Sequence, residues 1–170
     1  KLDTEALCAV GDKIGADVPL CIKGGTLYSI TSGDMIAAEC DTNCVFVCIY
    51  PDFTLSTAEA YAKYDENPTG INPHYADFVS SIVCGSLSEG AGFISNVFTE
   101  IYHDSRIEEM KNDLLESGAV ISEMTGSGSV VFGVFESEET AADAKNILSG
   151  KYPHVFTTRP VNCGVYVLER

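Results

Sequence analysis

Three short stretches of the sequence carry residues whose types and spacing suit a chemical role. In Thr125-Gly-Ser-Gly-Ser129, the two spaced glycines allow successive N–H groups to point into a concavity that fits phosphate oxygens. The stretch lacks the lysine of a Walker loop and leads into an apolar run instead of opening a helix. The pattern alone therefore leaves two readings open, a phosphate-binding loop and a tight glycine-rich connection between two strands.

A carboxylate and an aromatic ring occupy the other two stretches. Asp17 stands in Gly15-Ala-Asp-Val-Pro19, where the proline forces the preceding residue out of the α region, so a new short element can start there. A carboxylate at such a break in the chain is typical of a helix cap. Tyr61 lies on a short predicted helix that opens with the capping box Ser56-Thr-Ala-Glu59, and its ring either packs in the core or serves a ligand.

The seven cysteines and three histidines do not predict a metal site. Cys40, Cys44 and Cys48 recur every four residues, which would align them on a helix. The segment 44–50, however, is β-branched and aromatic, and this composition favours a strand. With no CxxC pair and no spaced histidine partners, we expect core thiols in a reducing compartment, the cytoplasm, and no metal ligands.

Composition narrows the class of partner. The net charge is −15 with only ten Lys and Arg residues, which argues against a nucleic acid or an anionic membrane surface. No apolar run of about 18 residues occurs, so no membrane span is predicted. If the protein binds an anionic metabolite, local backbone N–H groups would have to hold it.

The helices and strands that position these stretches are predicted from the periodicity of apolar residues and from residues typical of helix ends. Residues 3–14 read as a helix capped at Asp3 or Thr4. From residue 44 the predicted order is a strand at 44–50, helices at about 73–88, 91–103 and 105–117, two strands at 120–124 and 129–135, a helix at 138–148, and a strand pair at 154–159 and 163–168. This order predicts an α+β fold, a ferredoxin-like α/β sandwich with its helices on one face of an antiparallel sheet.

Two further expectations concern the sheet and the helix ends. The strand 129–135 is apolar on both faces, which predicts a central strand covered on both sides. Capping boxes at 56–59 and 105–108 and an N-cap at Ser137 mark three helix starts.

In chain order, Gly15–Gly25, Tyr50–Tyr61 and Met124–Phe135 resemble the motifs of the GHMP small-molecule kinases, over nearly the whole chain. The first and last are typical of the superfamily. GADVP together with the PxFxxSTxxxY pattern most closely resembles the branch that acts on 4-diphosphocytidyl-2-C-methyl-D-erythritol in non-mevalonate isoprenoid biosynthesis. Thr125 stands where serine is more usual, and Leu20 and Cys21 stand where aromatics are frequent.

The resemblance implies an ATP-dependent kinase, with Mg²⁺, that transfers the γ-phosphate to the 2-hydroxyl of that compound. By position, Asp17 is implied as the base that accepts the proton of the attacking hydroxyl. Tyr61 is implied near the cytosine of the substrate, with Thr57 beside it in the same motif. The implied phosphate-region loop consists of Thr125, Gly126, Ser127 and Gly128.

The family's Gly/Ser-rich ATP loop and its early lysine are not recognisable in these 170 residues. We therefore expect residues 1–43 to end an N-terminal kinase domain and residues 44–170 to form the C-terminal domain. ATP and Mg²⁺ would bind mainly to residues outside this chain, and the 170 residues alone would be inactive. Exposure of residues 1–43 and of the second face of strand 129–135 would promote self-association.

Two alternatives remain open at this point. One is a GHMP kinase that acts on a different small alcohol. The other is a non-catalytic metabolite-binding module with a ferredoxin-like fold. A phosphate loop encoded upstream of Lys1 would favour a kinase, whereas a start codon directly before Lys1 would favour the module.

Overall fold

The computed structural model describes residues 2–28, 36–37, 43–68, 74–83 and 87–166. The chain divides into two compact units, one formed by Lys1–Asp41 with Pro160–Arg170 and one by Thr42–Arg159. The sequence predicts a boundary between residues 43 and 44 and a second domain that runs to residue 170. The last eleven residues instead group with the first unit.

The first unit contains two short helices and a small ladder. Helix α1, Thr4–Gly11, begins at the predicted cap, because the Asp3 carboxylate accepts a hydrogen bond from the Ala6 amide at 2.8 Å. Helix α2, Val18–Lys23, follows, with proline in its first turn. Strands β1, Leu27–Tyr28, and β2, Ile36–Ala37, pair antiparallel. Residues 29–35, Cys40 and Cys84 lie outside the described residues.

The C-terminal segment joins the first unit through backbone hydrogen bonds to the end of α2. Gly25 N donates to Val161 O at 2.9 Å, Gly164 N to Lys23 O at 3.2 Å, and Val165 N to Ile22 O at 3.1 Å. The strand predicted at 163–168 is therefore wrong over its described part, 163–166. These residues pair with a helix end and do not extend the sheet.

The second unit is built on a four-stranded antiparallel sheet. Its strands are β3, Val45–Tyr50, β4, Ile121–Met124, β5, Val131–Phe135, and β6, His154–Thr158. The spatial order is β4-β5-β3-β6, with every neighbouring pair antiparallel. With the helices between the strands, this is the ferredoxin-like arrangement that the order of elements predicts.

The helices of this unit are α3, Thr57–Glu66, α4, Tyr75–Val83, α5, Leu87–Gly90, followed by a 3-10 turn at Ala91–Phe93, α6, Val97–Tyr102, α7, Ser105–Glu116, and α8, Glu138–Leu148. Ser56 and Ser137 cap α3 and α8 as predicted. The N-cap of α7 is Asp104, one residue before the predicted capping residue Ser105, and its carboxylate accepts a hydrogen bond from the Arg106 amide. None of the helices in the described ranges is long and apolar enough to span a membrane.

Both faces of the sheet are covered. Helices α7 and α8 bury one face, where Met110 and Leu114 pack with Val131 and Phe135. Burial of each such side chain contributes about 1.5 to 3 kcal/mol. On the other face, residues of α4, α5 and the turns after them pack against Phe132, Val134 and their neighbours.

The central position of β5 is thus confirmed, since it lies between β3 and β4 with both faces covered. The prediction that the helices lie on one face only is wrong. For the same reason the second face of β5 is not an exposed surface for self-association. Cys44, directly before β3, and Cys48, within β3, are buried core residues, as predicted, and burial raises the pKa of the Cys48 thiol.

Candidate functional site

Asp17 lies in the first unit, at the position directly before α2. Its side chain is exposed and makes no capping hydrogen bond to the helix. Its backbone, with φ −85° and ψ −12°, is α-like, whereas capping residues are usually extended. The capping interpretation of Asp17 is therefore wrong, and the carboxylate remains available for another role.

In the second unit, the segment before α3 runs beside residues 125–129, here called the glycine loop. Thr57 Oγ1 lies 2.7 Å from Ser127 Oγ. Ser129 Oγ donates to Phe53 O at 2.6 Å. The structure therefore brings the second and third sequence motifs together on one surface.

The glycine loop is a tight turn held by backbone hydrogen bonds. Thr125 N donates to Val130 O at 2.9 Å, and Gly128 N donates to Thr125 O at 3.1 Å. Gly126 and Gly128 have positive φ, at 57° and 92°. Among the residues that the structure describes, no partner accepts a hydrogen bond from the Gly126 or Ser127 amide. The loop is therefore a strand connection that also presents N–H groups suited to an anion.

The two loop glycines differ in their surroundings. A Cβ at Gly128 would lie 2.7 Å from both Leu55 Cδ1 and Met124 Sδ, whereas a Cβ at Gly126 would meet nothing within 4 Å. Gly128 thus allows close packing of the loop on the segment before α3. Gly126 lies beside open space, which leaves room for a ligand.

Asn96, which was not predicted from the sequence, holds the glycine loop through hydrogen bonds from its side-chain amide. Its Nδ2 donates to Met124 O and to Gly126 O, each at 2.8 Å, and its Oδ1 accepts the Phe98 amide at 2.9 Å. Asparagine before an apolar helical stretch is a recognisable N-cap signal. The sequence reasoning overlooked it because it predicted one continuous helix over 91–103.

Tyr61 is on α3 and is not a core residue. Its side chain is 56% exposed, and its ring meets the edge of Phe98 with 5.1 Å between centroids. The start of α3 is held by Tyr102, whose hydroxyl donates to Ser56 O at 2.9 Å. An exposed ring supported from one side suits stacking on a ligand better than packing.

Charged side chains flank the site on α7 and β4. The Arg106 guanidinium lies over the Phe53 ring at 3.7 Å, and its hydrogen bonds to Asp104 lower the pKa of that carboxyl. Glu123, 7% exposed, accepts hydrogen bonds from Thr99 Oγ1 and from the Met124 amide, both at 2.8 Å. These contacts fix the end of β4 directly before the glycine loop.

Two observations bear on other possible sites. A cavity of about 740 Å³ is lined by residues of α6, α7 and the turn between them, and it includes none of the predicted site residues. In the described ranges, no group of three or more His, Cys, Asp or Glu residues is arranged to hold a metal ion.

Residues 96–154 match the family model described as GHMP kinases C terminal. Together with the sheet order, this match defines the class, and the chain contains the C-terminal domain of the GHMP kinases. The family resemblance predicted from the three motifs is confirmed.

Within that class, the chain is similar to 4-diphosphocytidyl-2-C-methyl-D-erythritol kinases. The enzyme of that name from Caldanaerobacter subterraneus subsp. tengcongensis is 32% identical over 162 residues, which cover 94% of this chain and 56% of the relative. The one from Clostridium tetani is 29% identical over 163 residues, which cover 94% and 58%. The chain thus spans a little more than half the length of these relatives.

Solved structures support the fold. A homoserine kinase from Cytophaga hutchinsonii aligns with a TM-score of 0.77 at 15% identity, over 96% of this chain and 60% of that one. A 4-(cytidine 5'-diphospho)-2C-methyl-D-erythritol kinase aligns with a TM-score of 0.65 at 18% identity, over 92% and 56%. The predicted α+β fold is confirmed.

Proposed function

We propose that the protein carrying this chain is an ATP-dependent kinase that phosphorylates the 2-hydroxyl of 4-diphosphocytidyl-2-C-methyl-D-erythritol. The contact between the Thr57 and Ser127 hydroxyls, 2.7 Å apart, carries the proposal. It joins the segment that the motifs assign to the acceptor to the loop that they assign to the phosphates. Phosphoryl transfer depends mainly on positioning, so the two ligands must bind side by side.

Asp17 is the proposed general base. Its carboxylate would take the proton of the acceptor hydroxyl while the oxygen forms a bond to the γ-phosphorus and the bond from that phosphorus to ADP breaks. Tyr61 would stack on the cytosine, and Thr57 would contact the same acceptor. The exposure of Asp17 and Tyr61 supports both roles.

ATP is the proposed phosphate donor, and the glycine loop is proposed to line its phosphates. The Gly126 and Ser127 amides would face the phosphate oxygens, while Thr125 and Gly128 complete the turn. Mg²⁺ neutralises phosphate charge in such reactions. No group of three or more His, Cys, Asp or Glu among the described residues is arranged to hold a metal ion, and none of these residues is assigned to Mg²⁺.

We also propose a cytoplasmic location. Cys21 and Cys163 are exposed, unbridged thiols, which persist in a reducing compartment. The proposed partners remain the two small-molecule substrates.

The direct test is an assay of the full-length protein with labelled ATP and three acceptors. These are 4-diphosphocytidyl-2-C-methyl-D-erythritol, homoserine and mevalonate, of which the last two represent kinases of the same fold. We expect turnover with the first only. Turnover with another acceptor would assign the protein to a different GHMP kinase. ATP binding without any turnover would favour the metabolite-binding module.

Two variants assign roles within that assay. Asp17→Ala should lower kcat at least about a hundredfold, while Asp12→Ala, which removes an exposed carboxylate of the same unit, should not. Tyr61→Leu should raise the KM of the cytidine compound about tenfold, since base stacking contributes about 1 to 3 kcal/mol. Tyr61→Phe keeps the ring and should behave like the wild type. Near-normal turnover of Asp17→Ala would remove Asp17 from the mechanism.

A further inference from the structure

We propose that Asn96 is a positioning residue that holds the glycine loop in its anion-binding form and couples that form to helix α6. The loop geometry stands by itself, and only the identity of the anion, the phosphates of ATP, rests on the proposed function. The proposal starts from the three hydrogen bonds of one half-buried amide. Both loop contacts use Nδ2, and the helix cap uses Oδ1.

The direction of the loop amides follows from these bonds. A trans peptide unit is planar, and its C=O and N–H groups point in opposite directions. Because Gly126 O points to Asn96 Nδ2, the Ser127 N–H of the same peptide unit lies on the side away from Asn96. If the peptide unit turned over, the carbonyl oxygen would face the anion and repel it. Asn96 therefore keeps a donor, and not an acceptor, on the ligand side.

The same side chain connects the loop to the aromatic support of Tyr61. Asn96 Oδ1 accepts the Phe98 amide, and the Phe98 ring carries the edge-to-face contact with Tyr61 at 5.1 Å. A single amide group thus connects the segment proposed for phosphate to the ring proposed for the acceptor. The glycine loop and α6 are expected to move together.

Only asparagine among the good N-cap residues satisfies all three contacts. Aspartate retains the oxygen that caps α6, but it places a second oxygen against the Met124 and Gly126 carbonyls. Serine retains a capping oxygen and loses both loop contacts without adding a charge. Asn96→Asp and Asn96→Ser therefore separate the loop role from the helix-cap role.

The first measurement needs no ligand. Hydrogen exchange of the Gly128 amide, which donates to Thr125 O across the turn, is followed by NMR in the full-length protein. We expect exchange at least tenfold faster in Asn96→Asp and Asn96→Ser. The matched control is Ser137→Ala, which removes the N-cap of α8 at Thr140 N and should leave the Gly128 rate within twofold of the wild type.

The second measurement is the Kd for ATP with Mg²⁺, which should rise at least tenfold in both Asn96 variants and stay within twofold in Ser137→Ala. If Asn96→Asp does not fold, Asn96→Ser decides alone. The proposal is overturned if the Gly128 amide exchanges at the wild-type rate in the folded Asn96 variants. It is also overturned if Ser137→Ala raises the exchange rate and the Kd for ATP as much as the Asn96 variants do. If wild-type protein fails to bind ATP, the proposed function fails, and the exchange rates still decide the role of Asn96.

Discussion

The Thr57 hydroxyl lies 2.7 Å from the Ser127 hydroxyl and connects two segments that are 70 positions apart in the chain. Both atoms belong to side chains at the surface of the site, and either can donate. Since a net hydrogen bond contributes about 0.5 to 1.5 kcal/mol, the pair stabilises the site modestly. Its main consequence is geometric, because it holds the start of α3 against the glycine loop.

A double-mutant cycle tests this contact. Thr57→Val and Ser127→Ala should each lower the free energy of unfolding by about 0.5 kcal/mol, and the double variant should lose less than the sum. Urea denaturation supplies the three values. Strict additivity would show that the two hydroxyls do not interact in solution. Thr140→Val, which alters a hydroxyl on α8, is a control for loss of an exposed hydroxyl elsewhere in the unit.

Close packing at Gly128 predicts a difference between the two loop glycines. Gly128→Ala should lower the free energy of unfolding by about 2 to 3 kcal/mol, because a Cβ would overlap Leu55 and Met124 at a positive φ. Gly126→Ala introduces only the positive-φ cost, about 1 kcal/mol. Denaturant titrations compare the two variants directly. Equal losses would contradict the packing described for Gly128.

The buried Glu123 carboxylate depends on its cationic neighbour. Lys111 Nζ lies 3.2 Å from Glu123 Oε2, and their side chains are 18% and 9% exposed. Lys111→Met should therefore lower the free energy of unfolding by about 1 to 3 kcal/mol, since it leaves a buried charge with neutral donors only.

Two further variants control this result. Lys111 also contacts Glu108 at 3.3 Å, but that carboxylate is half exposed, so Glu108→Gln should change stability by less than about 0.5 kcal/mol. Adding Glu123→Gln to Lys111→Met should restore part of the loss, because the neutral amide no longer needs the cation. A double variant less stable than Lys111→Met would contradict the assigned charge interaction.

A cluster at the end of α8 predicts the pH dependence of stability. Partial burial alone would raise the pKa of Asp113, but hydrogen bonds from Lys151, at 2.6 Å, and from the Tyr152 hydroxyl outweigh it and lower that pKa below its usual value. Burial, and then the bond to Asp113, raises the pKa of Tyr152 to about 12. The folded state thus favours the ionised carboxyl and the neutral phenol.

The directions of these two pKa shifts define two pH ranges in which stability is lost. The contribution of Asp113 is complete above the ordinary carboxyl pKa of about 4 and is lost as the pH falls through its lower folded pKa. The contribution of Tyr152 is complete below the ordinary phenol pKa of about 10 and is lost as the pH rises toward 12. Asp113→Asn should flatten the acid limb of a stability–pH curve, and Tyr152→Phe the alkaline limb. An unchanged acid limb in Asp113→Asn would contradict the assignment.

Local features of the structure were predictable from the sequence. The apolar residues on both faces of β5 predict a central strand, because strand side chains alternate between the faces, and the β-branched run at 44–50 predicts the strand β3. The caps at Asp3, Ser56 and Ser137 are confirmed, since an N-cap bond joins residues only three positions apart.

Contacts between distant segments were not predictable in this way. The pairing of residues 161–165 with the end of α2 and the covering of the second sheet face by short helices both depend on which surfaces meet in the fold. Neither has a local pattern, because apolar helices do not encode which face of a sheet they cover.

By itself, the sequence determined the four strands of the sheet and their order along the chain, the central strand and the three motifs that identify the GHMP kinase class. Only the tertiary structure brought Thr57 to Ser127 and placed Asn96 beneath the glycine loop. The physical reason is the distance along the chain over which each kind of interaction acts. Periodicity and capping act over a few residues of chain, whereas these hydrogen bonds form only after the sheet and helices have packed and brought distant polar groups within about 3 Å.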